Sequence, residues 1–143
     1  IQLQEPEFKI DKADCEAAFS DKTKLCIINT PHNPTGRIFD QEELAIVAAL
    51  CVKHDVLCIS DEVYEACVYP GQNHTSIVKL PGMQERTIRI GSASKLLGVT
   101  GWRVGWALGP APLLSAVSTA QSYLTFVARL FCQLTAYIRF CVG

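Results

Sequence analysis

Short apolar runs separated by dense turn signals set the pattern of this chain. "LCIIN" at Leu25–Asn29 and "VLCIS" at Val56–Ser60 are nearly unbroken apolar stretches, the pattern of buried strands. Thr87–Gly91 alternates as a third strand, and Val104–Leu108 reads as a fourth. The first run stops in Thr30-Pro31-His32-Asn33-Pro34-Thr35-Gly36, a concentrated turn signal. Asp40 then precedes Glu43 by three residues, the spacing of a capping box. Leu44, Val47, Ala48 and Cys51 follow at helical intervals, so a helix is expected to run to about His54-Asp55. A short helix is expected near Lys12–Phe19. Another opens at Gly109-Pro110 and sets Leu113, Leu114, Val117 and Leu124 on one stripe. The long connection between the second and third strands carries turns at Pro70-Gly71 and Pro81-Gly82.

Strand, helix and strand in alternation predict an α/β layered domain. The first two strands should be parallel and joined by a right-handed crossover. The link from the third to the fourth strand is about a dozen residues, short for a parallel crossover, so the fourth strand is expected to be antiparallel. A length of 143 residues fits one domain.

Composition narrows the function classes. Hydrophobic residues make up 49% and charged residues 19%, with a mean hydropathy of +0.20, which excludes a disordered or low-complexity chain. The formal net charge is −1 and no Lys/Arg cluster occurs, against a nucleic-acid partner. No run reaches the roughly 20 apolar residues of a membrane helix, so no membrane partner is expected. The most apolar stretch, Val127–Val142, is interrupted by Arg129, Gln133 and Arg139. Seven cysteines are an odd number, without a C-x-x-C pair or zinc-type spacing, so neither a disulfide framework nor a metal is expected. Cys26, Cys51, Cys58 and Cys67 lie in or beside apolar segments and read as small hydrophobes. That usage points to a reducing compartment; the cytoplasm is expected, with a mitochondrion or plastid as the alternatives. There the sequon Asn73-His74-Thr75 carries no weight.

The candidate chemistry sits where strands end. In open α/β sheets ligands bind outside the carboxyl ends of the strands. Those ends offer Asn33, Asp61, Tyr64, Ser92, Lys95 and, slightly later, Arg103. Taken singly, each has a plain reading. Asn-Pro-Thr-Gly is a turn, Asp61-Glu62 a helix cap or solvated loop, Lys95 and Arg103 surface charges. Gly101, Gly105 and Gly109 suit turns and close strand packing rather than a nucleotide. Together they describe a site for a phosphorylated aldehyde. A lysine amine condenses with a carbonyl. A carboxylate keeps a pyridinium nitrogen protonated, a phenol and an amide donate to a ring oxygen, and a hydroxyl and a guanidinium hold phosphate. The cofactor that uses this set is pyridoxal 5'-phosphate. A nucleotide-binding domain is disfavoured, because neither G-x-G-x-x-G nor G-x-x-x-x-G-K-[ST] occurs.

The stretch from Ser92 to Gly105, "SASKLLGVTGWRVG", resembles the cofactor-attachment signature of class I (fold type I) aminotransferases. A small residue stands three before the lysine, and an arginine eight after it, followed by an aliphatic residue and glycine. Asn33-Pro34-Thr35-Gly36 and Asp61-Glu62-Val63-Tyr64 match two further family blocks, in order. "TPHNPTGRIF", "SDEVYE", Lys79–Thr87 and "TGWRVGW" are most similar to the kynurenine aminotransferase / glutamine transaminase K group and its plant-type homologues. The resemblance spans Asp11 to Phe126. It implies a partial three-layer large domain, with a mostly parallel sheet and one antiparallel strand. It also implies transamination between an L-amino acid and a 2-oxo acid of kynurenine, glutamine, methionine or aromatic type. Lys95 would link covalently to the cofactor and shuttle the substrate proton. Asp61 would pair with the ring nitrogen, Tyr64 and Asn33 with the ring oxygen, and Ser92 and Arg103 with the phosphate. Lys95, Asp61 and Tyr64 are the catalytic residues on this reading.

Family members are longer and are usually homodimers. They carry a phosphate-gripping loop and a ring-stacking aromatic before this region, and a small domain with a carboxylate-binding arginine after it. No residue here takes those roles. Residues 1–126 are therefore expected to be the central part of the cofactor-binding domain, and 127–143 a divergent apolar tail of a truncated or mis-spliced product. Related reactions, cysteine-conjugate β-elimination or formation of an aminocyclopropane carboxylate, fit the same motifs. So does a catalytically incompetent fragment that at most binds the cofactor or a partner chain.

Overall fold

The computed structural model describes residues 1–125. Four strands form one sheet in the order β1 (Leu25–Asn29), β2 (Leu57–Asp61), β3 (Thr87–Ser92) and β4 (Gly105–Leu108). The first three are parallel and β4 runs antiparallel to β3, as the connection lengths require. Asn29 stands beside Asp61, Asp61 beside Ile90, and Ser92 beside Gly105. The ladder extends further than the apolar runs suggest, so Asp61 and Ser92 are strand residues. Backbone pairing explains this: Thr30 N–H donates to Asp61 C=O at 3.1 Å, and Glu62 N–H to Ile90 C=O at 3.0 Å.

The crossover between β1 and β2 is α2 (Gln41–Lys53). The expected capping box is present. Glu43 N–H donates to Asp40 Oδ1 at 2.9 Å, and Asp40 N–H to Glu43 Oε2 at 2.9 Å. Glu43 is buried and also accepts from Ile10 N–H at 2.8 Å and Arg37 Nη2 at 2.6 Å, so one carboxylate ties three segments together. The apolar stripe of α2 packs with Cys15 of α1 (Lys12–Ala18), Phe19, Ile28, Val56, Cys58, Ile77 and Met83. These residues form the core on one face of the sheet.

The structure differs from the sequence expectation at β1. Ile28 is buried, but Leu25 and Ile27 are 48% and 68% exposed. Successive strand side chains point to opposite faces. Among the described residues the α1 and α2 layer covers one face only. The stripe on α4 (Ala111–Leu124) likewise has no buried residue. Cys67 is exposed in the turn after Tyr64, not packed as a small hydrophobe, while Cys15, Cys51 and Cys58 are in the core. Every cysteine among the described residues is a free thiol.

Close packing of β3 and β4 depends on glycine. A Cβ at Gly109 would stand 2.7 Å from Thr87 C=O, and one at Gly105 3.0 Å from Gly91 C=O. The expected tail, 127–143, lies outside the described residues. Among those described, no helix is long and apolar enough to cross a membrane.

Asp40→Ala is expected to lower unfolding stability by about 1 kcal/mol, the usual worth of such a cap. Urea denaturation checks this, and an unchanged midpoint contradicts the role given to the box.

Candidate active site

Sheet polarity gathers the candidates. β1, β2 and β3 end at one edge of the sheet, and antiparallel β4 begins there. The turns after β1 and β2, the start of α3 (Ala93–Leu96) and the residue before β4 therefore share that edge.

The turn after β1 closes on itself, with Gly36 N–H donating to His32 C=O and His32 N–H to Arg37 C=O, both at 2.7 Å. Gly36 takes φ +72°, the left-handed region glycine enters without penalty. Asn29 ties this turn to β2. Its Nδ2 donates to Asp61 C=O at 3.0 Å, and its Oδ1 accepts from Asn33 N–H at 2.8 Å. Asn33 is thus brought to Tyr64, and its Nδ2 donates to the phenol oxygen at 3.2 Å. Ser92 Oγ caps α3 by accepting from Ser94 N–H at 3.2 Å. Within that short helix, Lys95 Nζ lies 5.3 Å from the centre of the Tyr64 ring, within cation–π range.

Arg103 follows a 3-10 turn, Thr100–Trp102, and adopts φ 57°, ψ 42°. For a non-glycine residue this left-handed conformation costs on the order of 1 kcal/mol, and such strain concentrates at functional sites. Ala93 N–H donates to Val104 C=O at 3.1 Å, which holds the backbone beside Arg103 against the end of β3. The structure thus joins Asn33, Tyr64 and Lys95 by side-chain contact. It brings Ser92 and Arg103 near each other by strand pairing. Asp61 Oδ1 contacts none of the other five, and instead accepts from Val63 N–H at 3.2 Å.

A cavity of about 490 Å³ opens here, lined by His32, Asn33, Tyr64, Val68 and Tyr69 among others. Asp61, Ser92, Lys95 and Arg103 lie outside its lining, and Lys95 and Arg103 are exposed. Each group makes limited contact within the chain and keeps a reactive valence. The Tyr64 hydroxyl accepts from Asn33 and keeps its own hydrogen to donate. Ser92 does the same while capping α3. Arg103 gives one nitrogen to Thr100 C=O at 3.3 Å and keeps the rest of its fork. The ammonium of Lys95 has no hydrogen-bond acceptor among the described residues. This donor set fits a phosphorylated ring aldehyde. Among the described residues no group of side chains is arranged to hold a metal ion.

Sequence reading missed Asn29 and misjudged Glu62. Far from a cap or solvated loop, Glu62 is fully buried. Its Oε1 accepts from Ser60 Oγ at 2.9 Å and Ser76 Oγ at 2.5 Å. Its Oε2 meets His74 Nε2 at 3.0 Å and Arg89 Nε at 2.7 Å. The other arm of Arg89 pairs with Glu65. Burial pushes the Glu62 carboxyl up, but hydrogen bonds from His74, Ser76 and Ser60 and the Arg89 charge outweigh it and bring it to about 2. A hint was available: Cys58, Ser60 and Glu62 are spaced by two, on the side of β2 that carries the apolar Cys58.

The family model "Aminotransferase class I and II" matches residues 2–138, and the chain belongs to that family. Kynurenine–oxoglutarate transaminase 3 of Mus musculus is 55% identical over 115 residues, covering 80% of this chain and 25% of that protein. Kynurenine–oxoglutarate transaminase 1 of Homo sapiens is 47% identical over 119 residues, covering 83% of this chain and 28% of its own length. Among solved structures, N-succinyldiaminopimelate aminotransferase from Mycobacterium tuberculosis superposes with a TM-score of 0.89 at 39% identity, over 95% of this chain and 36% of that one. YbdL from Escherichia coli, a protein with a methionine aminotransferase function, gives a TM-score of 0.92 at 34% identity, over 99% and 38%. The chain spans about a quarter of the length of the curated relatives it matches. The mostly parallel sheet with one antiparallel strand is the part of the family fold that these residues form.

Two outcomes are expected. Asn29→Ala removes one of the two donors to Asp61 C=O, which keeps Thr30 N–H, and the acceptor of the exposed Asn33 N–H, and should cost about 1 kcal/mol by urea denaturation. The Glu62 carboxyl, held near 2 against an ordinary 4.5, contributes stability that is complete above about pH 4.5 and is lost as pH falls toward 2. That contribution is roughly 3 kcal/mol. Stability measured across that acid range should therefore fall less steeply in Glu62→Gln than in the unsubstituted chain. Equal slopes would contradict it.

Proposed function

We propose that this chain carries the cofactor-binding core of a transaminase that moves an amino group between an L-amino acid and a 2-oxo acid. The observation that carries the reading is the contact of Asn33, Tyr64 and Lys95 at the carboxyl edge of a parallel sheet. The names of the relatives support substrates of the kynurenine and 2-oxoglutarate type, and the methionine aminotransferase neighbour supports a wider amino-acid range. The family resemblance supports a homodimer for the whole protein.

Pyridoxal 5'-phosphate is the cofactor that the family and the donor set support. Lys95 would hold its aldehyde carbon covalently, Asp61 its ring nitrogen, Tyr64 and Asn33 its ring oxygen, and Ser92 and Arg103 its phosphate. When bound, the group supplies an electron sink for negative charge developing at the substrate α-carbon. Asp61 would keep that sink effective by holding a proton at the ring nitrogen. The Lys95 amine would take and return the proton at the α-carbon. Arg103 matches the phosphate as a planar fork, which a lysine would not.

A second reading is a chain that binds cofactor without turnover. It is favoured because, among the described residues, Asn33 and Tyr64 alone of the six candidates line the cavity. The related β-elimination on amino-acid conjugates would use the same six residues.

Mixed with pyridoxal 5'-phosphate, the chain is expected to develop the visible absorption of a lysine-linked cofactor, and Lys95→Ala to lose it. A band that persists in the variant would overturn the role of Lys95. The 143-residue chain alone is expected to show little or no transamination of an amino acid with a 2-oxo acid. Robust turnover would overturn the second reading.

A further inference from the structure

We propose that Glu62 is a positioning residue, whose buried ionic cluster sets the direction of Asp61 and Tyr64 from the opposite side of the strand. The inference rests on the cofactor roles proposed for those two residues and deepens them.

Asp61 and Tyr64 flank Glu62 closely in sequence, yet their side chains make few contacts within the chain. Among the described residues the Asp61 carboxylate bonds only to Val63 N–H, and the Tyr64 hydroxyl only to Asn33, beyond the ring contact with Lys95. Their orientation is therefore inherited from the backbone between them. Glu62 grips that backbone. Successive strand side chains point to opposite faces, and the Ser60–Glu62 bond places Glu62 on the side away from Asp61. There its two oxygens accept from four donors on three pieces of chain: Ser60 on β2, His74 and Ser76 in the connection, and Arg89 on β3. Arg89 also pairs with Glu65, so one guanidinium clamps both sides of Tyr64. The main chain adds Glu62 N–H to Ile90 C=O at 3.0 Å and Glu65 N–H to Glu62 C=O at 2.9 Å.

A directional role is distinct from the stability that the paired carboxylate contributes. Apolar residues of similar volume often replace a buried ion pair without loss of stability. What they cannot supply is a set of short, oriented bonds that permit one backbone geometry. The charged groups facing Glu62 are Arg89 and, when protonated, His74. Glu65 is the other anion, and Arg89 separates it from Glu62.

The test uses the full chain with Glu62→Gln and, as a milder variant, Ser76→Ala, which removes one of the four donors. In the cofactor-free chain, hydrogen exchange is read at the Val63 and Glu65 amides and compared with the Leu50 and Cys51 amides of α2. Exchange at the junction should accelerate by about tenfold or more relative to α2 in Glu62→Gln, and less in Ser76→Ala. In the chain loaded with pyridoxal 5'-phosphate, the pH midpoint of the visible band should move upward by about half a unit or more. A looser Asp61 and Tyr64 stabilise the deprotonated, lysine-linked form less. Equal acceleration in α2 and at the junction would show a general stability group and overturn the proposal. So would a loosened junction with an unmoved midpoint. If Glu62→Gln does not fold, Ser76→Ala decides by the same two readouts. Absence of the band in the unsubstituted chain would overturn the cofactor reading instead, and the exchange ratio would still decide whether Glu62 holds the junction.

Discussion

Parallel pairing of β1, β2 and β3 is the constraint on which the rest of this structure depends. With Asn29 beside Asp61 and Asp61 beside Ile90, three chain segments leave the sheet at one edge. The antiparallel fourth strand enters there, because Ser92 pairs with Gly105. An amide, a carboxylate, a phenol, a hydroxyl, an amine and a guanidinium, spread over about half the chain, are gathered by backbone hydrogen bonds. Strand pairing brings their segments to one edge, and the Asn29 side chain then brings Asn33 to Tyr64. Glycine at 105 and 109 permits the fourth strand to approach closely enough to complete the set.

Two buried carboxylates perform similar work on opposite sides of this frame. Glu43 ties Ile10, Arg37 and Asp40 together at the entrance to α2. Glu62 ties β2, β3 and the connection between them. A buried charge is costly unless paired and hydrogen-bonded, and both are. In each case the effect is to fix loop geometry beside a strand end. The small amount of regular structure between β2 and β3 makes this necessary. Apart from one 3-10 turn, Ile77–Lys79, that connection is irregular, and His74 and Ser76 anchor it chiefly through Glu62.

The described residues build part of a site. The cavity beside Asn33 and Tyr64 excludes Lys95 and Arg103, which are exposed. Leu25, Ile27 and Leu57 remain open on the sheet face that α1 and α2 do not cover. These features accompany a chain that spans about a quarter of its relatives' length.

Local rules made much of the fold legible from residues alone. Apolar runs marked the first two strands and alternation the third, and the Asp40/Glu43 spacing marked the start of α2 because orphan amides require caps. A short link forced β4 to reverse. Strand ends pointed to the six candidate residues because turns there must be polar, and three ordered motifs tied them to one chemistry. What local pattern could not decide was which polar residues would be buried. Asn29 and Glu62 look like any amide and any acid at a strand end. Their bonding to Asp61, Asn33, His74, Ser76 and Arg89 exists only once residues distant in sequence are adjacent in space. The same holds for Ile27, apolar yet exposed, since covering a sheet face depends on what packs against it and not on the strand's own composition.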